Sequence, residues 1–104
     1  LKILDRLKNM EHDMEVVLTL GKAGAYYQDK ETRIFQKSYP VKTEDTTAAG
    51  DTFTGYYLAE KMSGKRPEDC LKIACAAAAL AVTRKGAAPS IPVRKEVVEF
   101  FAFP

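Results

Sequence analysis

Val16-Val17-Leu18-Thr19-Leu20-Gly21-Lys22-Ala23-Gly24 is the stretch on which the fold turns. Its first five residues form a nearly continuous apolar run with two β-branched valines, and Gly21 stops it. Such a run suits a strand covered on both faces, as in parallel sheets. The two glycines that follow permit a tight turn at the strand's carboxyl end, where open α/β sheets bind their ligands. An ordinary glycine turn explains the same residues, and neither a Walker loop nor a Gly-x-Gly-x-x-Gly fingerprint is present. Working outward, Ala25-Tyr26-Tyr27-Gln28 and Arg33-Ile34-Phe35-Gln36 flank the polar residues 29–32 and read as a β-hairpin. Residues 38–47 read as a connector in which Pro40 discourages helix.

Helices occupy the rest. One is expected over residues 48–62, ended by Ser63-Gly64. A second starts at Pro67, whose missing N–H costs nothing in a first turn, with Glu68 and Asp69 answering the helix dipole. It carries the alanine run 76–79 and is expected to end near Arg84-Lys85-Gly86. A proline-punctuated loop, 87–92, leads to a short helix at 94–101. Upstream, residues 1–7 have apolar spacings of three and four and read as a short amphipathic helix.

A strand as apolar as residues 16–20 needs neighbours and cover, yet the sequence offers it no parallel partner. Either the chain is a piece of a larger α/β domain, or it pairs with another copy through that strand edge.

Composition narrows the function. The 104 residues fit one domain, and 46% apolar with 29% charged residues excludes a disordered chain. A net charge of +2 is too balanced for a nucleic-acid or anionic-membrane surface. No apolar run approaches the roughly 20 residues that span a bilayer, and residues 1–10 do not read as an export leader. Cys70 and Cys75 are too close on one helix to bridge, which suggests a reduced, cytoplasmic compartment. His12 is the sole histidine, which weakens a His-based zinc site or a Ser–His–Asp triad. Tyr26, Tyr27, Tyr56 and Tyr57 read as half-buried packing, since no basic stripe accompanies them.

Three segments can carry chemistry. Asp45-Thr46-Thr47-Ala48-Ala49-Gly50-Asp51-Thr52-Phe53 straddles a loop-to-helix junction. Small residues in a first turn expose backbone N–H groups, and with the dipole these make an anion site. Asp51 beside it can accept a proton from a hydroxyl that attacks phosphorus. The plain alternative is that Asp45 or Thr47 caps the helix and Asp51 is a surface acid suited to the dipole. The second segment is Thr19 to Gly24. The third is Ala81-Val82-Thr83-Arg84-Lys85-Gly86-Ala87-Ala88-Pro89-Ser90, where carbonyls after a helix can hold a monovalent cation, or simply cap it. Cys75 faces either the core or a ligand.

Taken in this order, the three segments resemble the C-terminal part of the ribokinase/PfkB family of carbohydrate kinases, leaning towards ribokinase. The Asp-Thr-Thr-Ala-Ala-Gly-Asp-Thr-Phe block is similar to that family's second signature. The resemblance implies an α/β fold, here a C-terminal fragment of a three-layer α/β/α sandwich with a small sheet, a hairpin and packing helices. It implies one unit, residues 1–104, forming the nucleotide-binding portion of a kinase domain. By resemblance Asp51 is the general base and contacts the sugar, and Ala48, Ala49 and Gly50 form the anion hole. Thr19, Leu20, Gly21, Lys22, Ala23, Gly24, Gly50, Asp51 and Cys75 line the ATP site. Asp45, Thr47, Ala81, Arg84, Gly86 and Ser90 match positions that ligate an activating K+, and Mg2+ arrives with ATP. The partners implied are ATP and a small sugar. Family members are much longer, and the sugar pocket and lid belong to a part this chain lacks, so activity of the chain alone is not expected. The alternatives are a fructokinase, ketodeoxygluconokinase or nucleoside kinase of the same family, or a non-catalytic nucleotide-binding or self-associating module.

Overall fold

The computed structural model describes residues 15–41, 49–83 and 92–101. In chain order these form β1 (Val16–Thr19), a 3-10 turn (Gly21–Ala23), β2 (Gly24–Gln28), β3 (Arg33–Lys37), α1 (Ala49–Met62), α2 (Pro67–Ala81) and α3 (Arg94–Phe101). The expected helix at 1–7, residues 42–48 of the connector and most of the loop 87–92 lie outside the described residues.

The three strands make one sheet in the order β1-β2-β3, antiparallel throughout. Within this chain β1 pairs antiparallel with β2 and, as expected of a strand offered no parallel partner, it is incompletely covered among the described residues: Val16, Val17 and Leu18 are half-buried and Thr19 is exposed. The turn sets the antiparallel pairing. Gly21 takes φ 55 and Gly24 φ 131. Leu20 N–H donates to the Gly24 carbonyl at 2.8 Å and Ala23 N–H to the Leu20 carbonyl at 3.1 Å. So short a link folds the chain straight back, whereas a parallel crossover within one sheet needs a dozen residues or more. The hairpin was legible: Asp29 Oδ1 accepts from the N–H groups of Glu31 and Thr32 at 2.9 and 2.7 Å, and this Asx-type turn joins β2 to β3.

Pairing puts Val17, Tyr27 and Ile34 in one row across the sheet, and Leu18, Tyr26 and Phe35 in the next. The first row, with Ala25, packs against Phe53 and Tyr57 of α1 and Cys70, Leu71, Ala74 and Cys75 of α2. The second lies on the opposite face, where Tyr26 and Phe35 contact each other with ring centroids 4.8 Å apart and Phe35 stays exposed.

α2 is buried nearly all round. Its other side joins Ile73, Ala76, Ala77 and Leu80 to Val97 of α3. Alanine holds so many of these positions because a methyl group lets backbones approach closely, near the lower end of the roughly 8–10 Å interaxial range. Both helix starts and stops follow local chemistry. After α1, Gly64 at φ 84 lets Lys65 N–H reach the Glu60 carbonyl at 3.2 Å. Pro67 opens α2. Glu96 Oε1 accepts from Val93 N–H at 3.0 Å, one arm of a capping box for α3. α2 ends at Ala81, earlier than its basic-then-glycine tail suggested. Val82 and Thr83 continue as a turn, and Thr83 Oγ1 donates to the Leu80 carbonyl at 2.6 Å. A hydroxyl that satisfies one of the last carbonyls competes with the next helical bond. The Arg84-Lys85-Gly86 stop lies outside the described residues.

A polar knot ties the sheet to α1. The Tyr27 hydroxyl lies 2.9 Å from Glu15 Oε1 and 2.8 Å from Asp29 Oδ2, so its one proton serves either. Lys61 Nζ meets Glu15 Oε2 at 2.6 Å. The hydrogen bond from Lys61, then that from Tyr27, holds the Glu15 carboxyl below its ordinary range. The bond from Tyr27, then the Glu31 amide, does the same for Asp29.

Two outcomes follow. A Cβ on Gly24 would sit 2.2 Å from the Gln36 carbonyl oxygen, at a φ that L residues rarely adopt. Gly24→Ala should therefore cost at least about 2 kcal/mol, read as a lower urea midpoint; an unchanged midpoint would contradict this packing. Both carboxyls have folded-state values depressed, so their contribution is present above the usual carboxylate range and is lost as pH falls through the depressed values. Tyr27→Phe should accordingly flatten the fall of stability in acid, as measured by denaturation at stepped pH.

Candidate functional site

Asp51 sits in the first turn of α1. Thr52 and Phe53 turn inward to the core, which leaves Asp51 on the exposed face of the helix, with Gly50 before it and Gly55 one turn on. Apart from chain neighbours and the helix's own backbone, no heavy atom of the described residues lies within 4 Å of where a Cβ would stand on Gly50 or Gly55. The helix end is thus bare of covering side chains among the described residues, as an anion site on backbone amides requires. Ala49 is half-buried beside it, and Ala48 lies outside the described residues.

The turn at 19–24 presents a second open surface. Thr19, Leu20, Gly21 and Ala23 are exposed, Lys22 belongs to the 3-10 turn, and Gly24 is buried under Gln36. Gly21, at φ +55, has nothing within 4 Å of its Cβ position. A flat or anionic group can approach this backbone closely.

The core brings the motifs into one neighbourhood through their neighbours in sequence. Ala25 adjoins Gly24, Phe53 follows Asp51 by two, and both share a buried cluster with Cys75. Cys75 is only 5% exposed, and burial pushes its thiol up to about 11. It is a packed, unreactive side chain, and any ligand contact is confined to that small open fraction. Cys70, also buried, is a free thiol like Cys75.

Ala81 is the last residue of α2 and is 1% exposed. Final-turn carbonyls lack intrahelical donors, and the negative helix end suits a cation, so a carbonyl ligand here fits in kind. Asp45, Thr47, Arg84, Gly86 and Ser90 lie outside the described residues.

The sequence reading missed a polar stripe on the buried side of α1. Tyr56 was read as packing, and it does pack against both core clusters, but its hydroxyl also donates to the Pro92 carbonyl. Glu60, 7% exposed, accepts at Oε1 from Arg94 Nε at 2.8 Å. Thr52, 2% exposed, has a hydroxyl with no hydrogen-bond partner among the described residues. Polar residues at 52, 56 and 60, four apart within an inward face, were the available signal. A cleft of about 140 Å³, lined by Glu60, Lys65, Asp69, Lys72 and Arg94 among others, opens near the far end of α1 and does not include Asp51.

Comparison with known proteins matches residues 1–94 to the pfkB family carbohydrate kinase model. The chain is 41% identical to the ribokinase of Haemophilus influenzae over 85 residues, 82% of this chain and 28% of that protein. It superposes on the ribokinase crystal structure from Thermotoga maritima with a TM-score of 0.89 and 36% identity, over 98% of this chain and 34% of that one. On the Arabidopsis thaliana ribokinase complexed with ribose and ATP, the TM-score is 0.82 and the identity 41%, over 86% and 30% of the two chains. The fold is therefore ribokinase-like, and the chain spans about 28–34% of the length of these relatives. With a family model matched over residues 1–94 and ribokinases as its sequence and structural neighbours, the chain belongs to the pfkB family of carbohydrate kinases.

Proposed function

We propose that residues 1–104 are the nucleotide-side, C-terminal portion of a longer ATP-dependent sugar kinase acting on ribose or a related carbohydrate in the cytoplasm. The observation that carries this reading is the open first turn of α1. Gly50 and Asp51 stand uncovered at the N-terminus of a 14-residue helix, within a signature block of a pfkB-family chain.

In this reading the Asp51 carboxylate takes the proton of the sugar hydroxyl as that oxygen attacks the γ-phosphorus. The new P–O bond forms while the bond to the β–γ bridging oxygen breaks, and ADP leaves. The backbone amides at Ala49, Gly50 and Asp51, with that of Ala48, hold the phosphoryl oxygens where negative charge is concentrated, aided by the helix dipole. The exposed backbone of residues 19–24 supports the nucleotide, with Cys75 beneath it. Mg2+ bound to ATP offsets phosphate charge. K+ would be held by Ala81 with Asp45, Thr47, Arg84, Gly86 and Ser90, next to the negative end of α2.

The sugar-side wall facing Asp51 belongs, in this reading, to the length by which the relatives exceed this chain. No helix among the described residues is long and apolar enough to cross a membrane, which agrees with action on small polar substrates in water.

A second reading is favoured by one observation. β1 lies at an edge of the sheet and has one strand partner, β2, among the described residues. A stand-alone module that self-associates through this edge would appear as a dimer by light scattering, with or without ATP.

The kinase reading is tested in the full-length protein. Asp51→Asn should lower turnover with ribose by roughly 10²–10⁴-fold, the range for a lost general base, while ATP affinity by calorimetry stays nearly unchanged. Turnover at the unsubstituted rate would remove Asp51 from the role of base.

A further inference from the structure

Thr52, Tyr56 and Glu60 follow one another at intervals of four along α1, so they stand one above another on a single face. Glu60 Oε1 takes Arg94 Nε at 2.8 Å, and the Tyr56 hydroxyl donates to the Pro92 carbonyl. The two partners are two residues apart on the chain leading into α3. Tyr56 and Glu60 are about one helical turn apart, so two successive points of α1 hold successive points of that chain and fix its register. The third rung is Thr52, 2% exposed, directly beside Asp51 and with its hydroxyl unpaired among the described residues. A buried hydroxyl without a partner is costly, and an apolar residue would fill the same space more cheaply.

We propose that this stripe is a positioning device. Tyr56 and Glu60 pin the approach to α3, and through it set the alignment of the helix end that presents Asp51. The proposal rests on the reading of Asp51 as the base and adds Tyr56 and Glu60 to the residues that reaction depends on, without contact to substrate. Part-buried polar contacts of this kind give directional register that apolar packing would not. Small misalignments of a catalytic group translate into large rate losses.

The test uses the full-length kinase with Tyr56→Phe, Glu60→Gln and, as control, Phe35→Ala, which breaks the Tyr26–Phe35 ring contact on the sheet face opposite α1. Tyr56→Phe should lower kcat roughly tenfold, with KM for ribose and for ATP within about threefold, and should speed amide exchange at residues 92–97 and at residues 53–57, whose N–H groups are the first in α1 to have helical acceptors. Glu60→Gln should move the same readouts in the same direction. Phe35→Ala should lower the melting temperature and leave kcat unchanged. If Tyr56→Phe only lowers the melting temperature, as the control does, the stripe is structural and the proposal fails while Asp51 keeps its role. If Asp51→Asn keeps full turnover, the base reading fails on its own account. Unchanged amide exchange at residues 53–57 of α1 on Tyr56→Phe would then overturn the clamp independently.

Discussion

The burial of α2 on nearly every side is the constraint on which the rest depends. Leu71, Ala74 and Cys75 face the sheet and α1, while Ile73, Ala76, Ala77 and Leu80 face α3. A helix with so little wet face has to be surrounded, and the elements that surround it are those carrying the proposed site. The sheet brings the turn at 19–24, α1 brings Asp51, and the end of α2 brings Ala81. Because alanine side chains are small, the surrounding elements sit close, and a displacement at one surface passes directly to the next.

Against that apolar pillar, the polar contacts are few and placed at the margins. Tyr27, Glu15, Asp29 and Lys61 join the sheet to the end of α1. Tyr56 and Glu60 join the middle of α1 to the approach of α3. Apolar burial supplies most of the stabilisation but is non-directional. Hydrogen-bonded contacts at the margins fix how the pieces are turned relative to one another. α1 is held in this way over its second half, which leaves its first turn as an exposed end on a helix anchored further along. That combination suits preorganised charge stabilisation, where donors are aligned before the reaction and need no rearrangement during it.

Much of this was legible in the sequence because it is governed by local rules. The span of α3, the start of α2 at Pro67, the stop of α1 at Ser63-Gly64 and the hairpin across residues 29–32 each depend on the chemistry of a few adjacent residues. The apolar run 16–20 reads as a strand in need of neighbours, but hydropathy alone does not show that the tight glycine turn pairs it antiparallel with β2. One reading went astray where local signals competed. The end of α2 was placed at the basic residues and glycine, yet Thr83 turns its hydroxyl back on the Leu80 carbonyl first. At the site, the Gly50-Asp51 pair and the turn at 19–24 stood out by spacing. The stripe of Thr52, Tyr56 and Glu60 did not, because each of these residues is ordinary in a helix until its partner is known.

Residue order by itself determined the elements, their caps and the family to which the signature block points, since these rest on contacts within a few positions of the chain. Tertiary structure decided which face of α1 is buried, and therefore that Asp51 looks outward while Tyr56 and Glu60 look in. It also decided that Cys75 lies within the core and that Ala25, Phe53 and Cys75 meet in one cluster. Those outcomes depend on which helix packs on which sheet face, a choice made by burying the largest shared apolar surface across residues distant in sequence.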